Sequence, residues 1–393
     1  MDDFIKRGFI EFKTLAPVYI GCGRTVSKKE YLYDPKTRKI EILQMNKVFD
    51  KICRLGLEKE FESYLLSPGG NNKWNKGREL IDFMKDNNIP ESEYSTWSDE
   101  VMPFADSDMS YRSIKNINLF IRDERGLPYV PGSSFKGMLR TILETEYYLE
   151  NRDQAAELAE RITDKVQGNA FRPKRREWFL KEEDAEADVS SMHKEMFEPQ
   201  KSNEPPGKNL RNQKNDTLRG LLIGDSEAIS WEDMCICEKI DVNIFGKHKN
   251  PGSYREAIKP GVIIKIPISI DTRICSYTIR DILDAIKSFN MNYISQFTQN
   301  FPAAPATGGN STTFFLGGGT GYVSKTITYG VMRGSKAVET VAKIINETLP
   351  HGVRQKHGHI NDINQNVSPH MLKCTRYNGI LVQMGACHVI RYY

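Results

Sequence analysis

The sequence lacks long hydrophobic runs. No stretch approaches the roughly 20 consecutive apolar residues of a membrane-spanning helix, and the first seven residues lack the apolar region of a signal peptide. Cysteine is also scarce: the seven cysteines are odd in number and scattered, which favours reduced thiols over a disulfide framework. We therefore expect a cytoplasmic protein that makes no membrane contact.

Sequence patterns of common catalytic and metal sites are missing too. Cys235-x-Cys237 is the only close cysteine pair, and its spacing places both thiols on one face of a strand, so no metal and no cofactor are predicted. Residues 319–326 resemble a nucleotide-binding P-loop, but Ser324 stands where the second glycine is required. A Gly-x-Ser-x-Gly elbow and a His-Glu-x-x-His motif are absent. The sequence does not predict an enzyme.

The composition is that of a rather polar globular protein. Of 393 residues, 39% are hydrophobic and 27% are charged, and 55 Lys and Arg against 51 Asp and Glu give a formal net charge of +4. This length allows two or three domains, or one domain with large insertions. Such mild basicity permits nucleic-acid binding without requiring it, so the positions of the cations matter more than their number.

The most informative segment is residues 131–140, Pro-Gly-Ser-Ser-Phe-Lys-Gly-Met-Leu-Arg. It reads as the end of a strand, a Pro-Gly turn, and a helix that Ser133 or Ser134 can cap. Backbone N–H groups and the positive end of the helix dipole would face outward there, which suits an anion. The alternative is an ordinary strand-to-helix connection with solvated cations. The residues predicted to bind a phosphodiester backbone are Gly132, Ser133, Ser134, Lys136 and Arg140.

Two further glycine-containing segments favour the same ligand. The turn Gly21-Cys22-Gly23 is followed at once by cations, and the segment 315–322 carries four glycines in five positions. Glycines allow an RNA strand to lie close against the backbone. For the first segment an ordinary basic loop is the alternative. The candidate RNA-binding residues are Arg24, Lys28 and Lys29 in the first segment and Gly318, Gly319, Gly321 and Lys325 in the second.

Hydrophobic periodicity predicts helices mixed with antiparallel strands, an α+β fold. Alternation is cleanest at residues 262–270, where the isoleucines share one face, and Pro267 favours an edge position there. Helical spacing follows Thr278 and recurs over residues 335–349. Helical insertions are expected near 45–110 and 150–219, and the second is rich in charged residues.

A group of histidines supports a rival function. His351, His357 and His359 lie close together in a hydrophilic segment. Because histidine acts as a general acid or base near neutral pH, a metal-independent ribonuclease is the alternative to simple RNA binding. An exposed loop without chemistry explains the same pattern.

The strand followed by Pro-Gly-Ser-Ser-x-Lys-Gly-x-Leu-Arg resembles the signature of the RAMP superfamily, the RNA-binding proteins of CRISPR effector complexes. The N-terminal motif Thr14-x-x-Pro17-Val18-Tyr19-Ile20-Gly21-x-Gly23, the Lys-Pro-Gly at 259–261 and the glycine-rich segment 316–326 narrow the match. Their order resembles that in the family of fifth subunits of the Csm complex, the type III-A CRISPR effector. Residues 150–219 carry no part of the resemblance.

This resemblance implies an RRM-like, ferredoxin-like βαββαβ core elaborated into two lobes, which we place at residues 1–270 and 271–393. It implies a non-catalytic subunit that binds CRISPR RNA (crRNA) toward its 3′ end, caps the filament of backbone subunits, and supports crRNA maturation and antiviral defence. Its partners would be crRNA, the backbone RAMP subunit and the small helical subunit. Since the aromatic sheet motif of sequence-reading RRMs is missing, we expect recognition of the RNA backbone and shape.

Overall fold

The computed structural model describes residues 4–34, 36–67, 79–94, 97–98, 100–107, 109, 114, 116–167, 217–305, 310–349 and 351–393. Its strands are β1 Ile5–Thr14, β2 Gly21–Ser27, β3 Tyr31–Asp34, β4 Lys39–Ile42, β5 Glu100–Pro103, β6 Asn116–Phe120, β7 Leu221–Ile223, β8 Met234–Glu238, β9 Ile240–Asn243, β10 His248–Lys249, β11 Tyr254–Ile258, β12 Ile263–Asp271, β13 Thr313–Phe315, β14 Met371–Tyr377, β15 Ile380–Gln383 and β16 Ala386–Tyr392. Its α-helices are α1 Met45–Leu55, α2 Glu58–Leu66, α3 Leu80–Asp86, α4 Glu91–Tyr94, α5 Gly132–Glu150, α6 Arg152–Gln167, α7 Ile279–Gln296, α8 Thr328–Val331, α9 Gly334–Thr348 and α10 His351–His357.

A five-stranded sheet in the order β13-β16-β1-β12-β7 organises the core. Its neighbouring strands pair antiparallel. Helices α5 and α7 pack against each other beside this sheet. Phe12 of β1 is fully buried, with its ring centroid 5.6 Å from that of Phe135 on α5 and 5.3 Å from that of Phe314 on β13. In chain order the sheet and its helices therefore run β1, α5, β7, β12, α7, β13 and β16.

The alternation predicted for residues 262–270 is confirmed. In β12, Ile264, Ile266, Ile268 and Ile270 are buried, whereas Ile263 on the other face is 59% exposed. The edge position predicted from Pro267 is wrong, because β12 lies between β1 and β7. The Pro267 carbonyl accepts from Gly224 N on the β7 side. Proline has no backbone N–H, and an N–H at this position would point to that same side. The strand ladder with β7 therefore ends at Ile268.

Smaller sheets surround this core. Their orders are β2-β6-β11-β8, β10-β9-β14-β15 and β3-β4-β5. Helices α1, α2 and α3 bury a separate apolar cluster with Trp97, which agrees with the helical character predicted near residues 45–110. In the predicted insertion near 150–219 the structure describes residues 150–167, which include α6, and residues 217–219, and the remaining residues 168–216 lie outside the described part. No helix of the described part is long and apolar enough to cross a membrane.

Both C-terminal helices predicted from periodicity are confirmed. A capping box starts α7: Thr278 Oγ1 accepts from Asp281 N at 3.2 Å, and Asp281 Oδ2 accepts from Thr278 N at 2.7 Å. Helix α9 spans Gly334–Thr348, one residue from the predicted bounds. The predicted boundary near residue 270 falls at the end of β12, and strands from both sides of it pair in the central sheet. The division into two lobes stays a prediction.

Phe12→Ala should lower the free energy of unfolding by about 3–5 kcal/mol, because it opens a cavity between two aromatic rings that are held in place by α5 and β13. The measurement is urea unfolding followed by tryptophan fluorescence. Leu222→Ala is the matched control: Leu222 is 53% exposed in the same sheet, and its loss should cost no more than about 0.5 kcal/mol. Equal effects of the two substitutions would contradict this core.

Candidate nucleic-acid interface

The start of α5 is occupied by a carboxylate of the chain itself. Pro131 caps the helix with extended backbone and without a side-chain hydrogen bond, so the predicted cap at Ser133 or Ser134 is wrong. Gly132 N, predicted to face a ligand, donates to Asp225 Oδ1 at 2.7 Å. An aspartate at a helix N-terminus satisfies an orphan amide and the helix dipole, as the expected phosphate would.

Gly132 is required here by a close backbone contact. A Cβ added at this residue would lie 2.4 Å from Ile223 O and 2.6 Å from Gly224 O. The segment after β7 is held further by Val130, whose N–H donates to Ser226 Oγ at 2.8 Å. The turn is thus built to dock α5 against β7, and its role in RNA binding stays a prediction.

The two cations of this segment differ in their surroundings. Lys136 Nζ donates to Leu218 O at 2.7 Å and to Leu221 O at 2.8 Å. Its ammonium group therefore binds backbone carbonyls at the start of β7 and not a ligand at the N-terminus of α5. Arg140 Nη1 lies 3.7 Å from Glu144 Oε1, and its side chain is 31% exposed. Ser133 is exposed. Arg140 and Ser133 can therefore reach a ligand more readily than Lys136.

The predicted cations near β2 are similarly divided. Lys28 Nζ lies 2.8 Å from Glu79 Oε1. Lys29 Nζ donates to the carbonyls of Leu65 and Ser67 at 2.7 Å, which caps the end of α2. Arg24, within β2, is exposed. Two of these three predicted RNA-binding residues thus hold the helical insertion in place.

The predicted glycine-rich segment packs backbone against backbone. We call residues 316–322 the glycine loop. Gly318 N donates to Tyr19 O at 2.6 Å, and a Cβ added at Gly317, where φ is +83°, would lie 2.1 Å from the same oxygen. Only glycine fits this position. The loop is therefore locked to the segment between β1 and β2.

Cationic side chains lie beside the glycine loop. A Cβ added at Gly319 would lie 1.9 Å from Arg255 Nη1, so the guanidinium lies directly against the loop. The same guanidinium stacks over the Tyr19 ring, 5.1 Å from its centroid. A Cβ added at Gly321 would lie 3.4 Å from Lys373 Cγ. We call Lys239, Arg255, Lys325 and Lys373 the cation cluster.

One carboxylate neutralises part of the cation cluster. Asp241 Oδ1 lies 2.9 Å from Lys373 Nζ, and Asp241 Oδ2 lies 3.5 Å from Lys239 Nζ. In the described part of the chain, no acidic side chain lies within ion-pair distance of Arg255 or Lys325. The cluster therefore has more positive charge than its own carboxylate balances, as a site for an anion requires.

The ammonium groups of the cluster are partly desolvated. Lys325 is an exposed residue, but desolvation by neighbouring protein atoms, followed by the charge of Arg255, lowers its pKa. Burial, then Lys373, likewise lowers the pKa of Lys239. A phosphate would relieve both effects, since an opposite charge favours the protonated lysine.

The structure unites some predicted residues and separates others. Gly318, Gly319, Gly321 and Lys325 share one surface. No hydrogen bond or ion pair among the described residues links this surface to residues 131–140. Sequence reasoning missed Arg255, Lys239 and Lys373, which lie on β11, just before β9 and on β14. The sequence holds no local signal for them, because their neighbours lie far away along the chain.

The predicted histidine group is also partly assembled. The rings of His357 and His359 stack with centroids 5.9 Å apart and an interplanar angle of 9°. Burial, then the charge of Lys249, lowers the pKa of His357. The side chain of His351 lies outside the described residues.

Comparison with known proteins places these features in a family. The sequence model of the RAMP superfamily matches residues 11–322. Among curated proteins, the CRISPR system Cms protein Csm5 of Streptococcus thermophilus is 28% identical, over 80% of this chain and 78% of its own length. The protein of that name from Mycobacterium tuberculosis (strain CDC 1551 / Oshkosh) is 25% identical, over 99% of this chain and 98% of its own length.

Solved structures share the fold. A chain of the cryo-EM structure of a Csm–crRNA–target RNA ternary complex from a type III-A CRISPR-Cas system matches with a TM-score of 0.59 at 16% identity, over 98% of this chain and 100% of that chain. The crystal structure of T. onnurineus Csm5 matches with a TM-score of 0.55 at 16% identity and the same coverage.

Asp225→Ala should destabilise the protein by about 1 kcal/mol, in the range of about 0.5–2 kcal/mol for loss of a helix-capping side chain. The reason is that Gly132 N then lacks its acceptor. Urea unfolding gives the free energy, and the neighbouring exposed Glu227→Ala is the control that removes the same charge. A loss no larger than that of the control would show that Asp225 does not cap α5.

Proposed function

The chain belongs to the RAMP superfamily, and from this membership we propose that it is a non-catalytic crRNA-binding subunit of a type III-A CRISPR Csm complex. The names of its curated relatives and the ternary complex among its structural neighbours support this assignment. The glycine loop with its cation cluster is the observation that carries it.

The chemistry of this surface suits a sugar-phosphate backbone. The missing side chains at Gly319 and Gly321 let Arg255 and Lys373 lie directly against the loop, which concentrates positive charge there. Arg255 offers planar donors that match phosphate geometry, and Lys325 offers a compact charge. The aromatic ring of Tyr19 lies beside these two cations, with the Arg255 guanidinium stacked over it. Such contacts recognise phosphate and shape without distinguishing bases.

The topology supports the predicted RRM-like core. Leaving out β13 at its edge, the central sheet has the order β16-β1-β12-β7, and its elements follow the chain as strand, helix, strand, strand, helix, strand. A ferredoxin-like fold has the same βαββαβ connection, which supports the proposed core. We propose that the smaller sheets and α1–α4 are elaborations of this core.

We propose that the subunit binds the 3′ region of crRNA and caps the filament of backbone RAMP subunits. Its neighbours in the complex would be the backbone RAMP subunit and the small helical subunit, and its contribution to crRNA maturation and antiviral defence would follow from holding the guide end. A cytoplasmic location agrees with such a role.

The individual RNA contacts are proposed from what each side chain already binds. Exposed Arg24, Ser133 and half-exposed Arg140 and Ser134 can add contacts outside the cation cluster. Lys28, Lys29 and Lys136 would have to exchange their internal bonds for phosphate. We therefore expect the glycine loop and the cation cluster to supply most of the affinity.

The double variant Arg255→Ala/Lys325→Ala should bind crRNA at least about 10-fold more weakly, because two phosphate contacts are lost. The slope of log affinity against log salt concentration should become less steep by about 1.4, or about 0.7 for each single-strand contact. Fluorescence anisotropy of the full chain with labelled crRNA, at several salt concentrations, measures both quantities.

The matched control is Arg280→Ala/Lys287→Ala, which removes two cations from the exposed side of α7 and should leave the slope nearly unchanged. Lys136→Ala/Arg140→Ala tests the segment 131–140 in the same assay. An unchanged salt slope in Arg255→Ala/Lys325→Ala would contradict the proposed interface.

Failure of the chain to crosslink to crRNA in the assembled complex would instead indicate a purely structural adaptor.

A second candidate, a metal-independent crRNA-processing endoribonuclease, has one observation in its favour. The paired rings of His357 and His359 resemble an acid–base pair. The full chain incubated with precursor RNA in EDTA decides between the two functions. We expect no cleavage, and cleavage that His357→Ala abolishes would establish the enzyme.

A further inference from the structure

A buried carboxylate holds two imidazoles beside each other. Asp362 has no exposed surface. Its Oδ2 lies 3.0 Å from His359 Nδ1 and its Oδ1 lies 2.5 Å from His370 Nδ1. Ser368 Oγ donates to Oδ2 at 2.7 Å. The two imidazole rings lie with centroids 4.5 Å apart and an interplanar angle of 33°.

The charge of this carboxylate lacks a permanent counter-charge. In the described ranges of the chain, no lysine or arginine lies within ion-pair distance of it. Ionising a buried carboxylate that has no cation beside it is costly, so a cation bound at this group would stabilise it.

Both imidazoles are oriented as metal ligands are. A neutral histidine that donates its Nδ1–H to a carboxylate keeps its Nε2 lone pair for another partner. Metal-binding histidines in proteins usually have this second hydrogen bond, which fixes the tautomer and raises the basicity of the ligand. Here one carboxylate orients two such rings, and the potential ligand atoms of His359, Asp362 and His370 lie within 4.8 Å of one another.

His357 lies beside this group. Its ring stacks on that of His359 and is half-buried. Imidazole nitrogen and carboxylate oxygen are ligands of borderline divalent ions such as Zn²⁺ and Co²⁺, which leaves the hard ions Mg²⁺ and Ca²⁺ disfavoured.

We propose that His359, Asp362 and His370 bind one divalent transition-metal ion, with Asp362 also orienting the two imidazole rings. The ion would join the 3-10 helix His359–Gln365 to the residue before β14. This site was not predicted from the sequence, where no metal was expected. His370 lies eleven positions beyond His359, outside any recognised ligand spacing.

The test uses the full chain after dialysis against EDTA and then into chelator-free buffer. Titration with Co²⁺ should produce one visible absorption band that saturates at one equivalent. Added Zn²⁺ should abolish the band and raise the Tm by a few degrees. His370→Gln and Asp362→Asn should each weaken binding by about 10–100-fold. His248→Gln, in an exposed histidine on β10, should leave the affinity unchanged.

Two results would overturn the proposal. The first is a wild-type chain that shows neither a Co²⁺ band nor a Zn²⁺-dependent rise in Tm, and this outcome needs no variant to fold. The second is a band with sulfur-to-cobalt charge transfer that survives His370→Gln, because it would place the ion on the exposed thiols of Cys22 or Cys53. In either case Asp362 would be a hydrogen-bonded hub without an ion.

Discussion

The proposed RNA interface depends on the backbone contact between Tyr19 and the glycine loop. Because Gly317 and Gly318 approach the Tyr19 carbonyl without side chains, the loop reaches Arg255 on β11 and Lys373 on β14. These residues come from separate sheets, and the loop is the element that borders them all. A single Cβ in this loop would push apart the surfaces that together form the interface.

The cation cluster is stabilised less well than the rest of the fold. Four cations share one carboxylate, and two of the ammonium groups have lowered pKa values because of burial and like-charge neighbours. Elsewhere in the described chain, Lys28, Lys29 and Lys136 have acceptors at 2.7–2.8 Å. The contrast distinguishes cations that hold the fold from the cations that we propose to bind an anion.

Local patterns explain which features could be predicted. The isoleucines of β12 and the Thr278 capping box act within a few residues, so the sequence alone indicates their strand and helix. The role of a lysine depends on distant partners: Lys136 and Lys325 both follow glycine-rich turns, but carbonyls from residues 218 and 221 bind Lys136. Asp225 lies 93 residues from Gly132, and no local pattern indicates that it caps that amide. Arg255 was missed for the same reason.

The pairing of β1 has a consequence for biosynthesis. Ile10 pairs with Ile266 on one side and with Tyr392 on the other, so both neighbouring strands leave the ribosome long after β1 does. Until then the apolar face with Ile10 and Phe12 lacks its native cover, and its strand edges are open. Such non-local pairing folds slowly and exposes nascent chains to misassociation. The native cover of β1 is thus completed only when the C-terminal strand has been made.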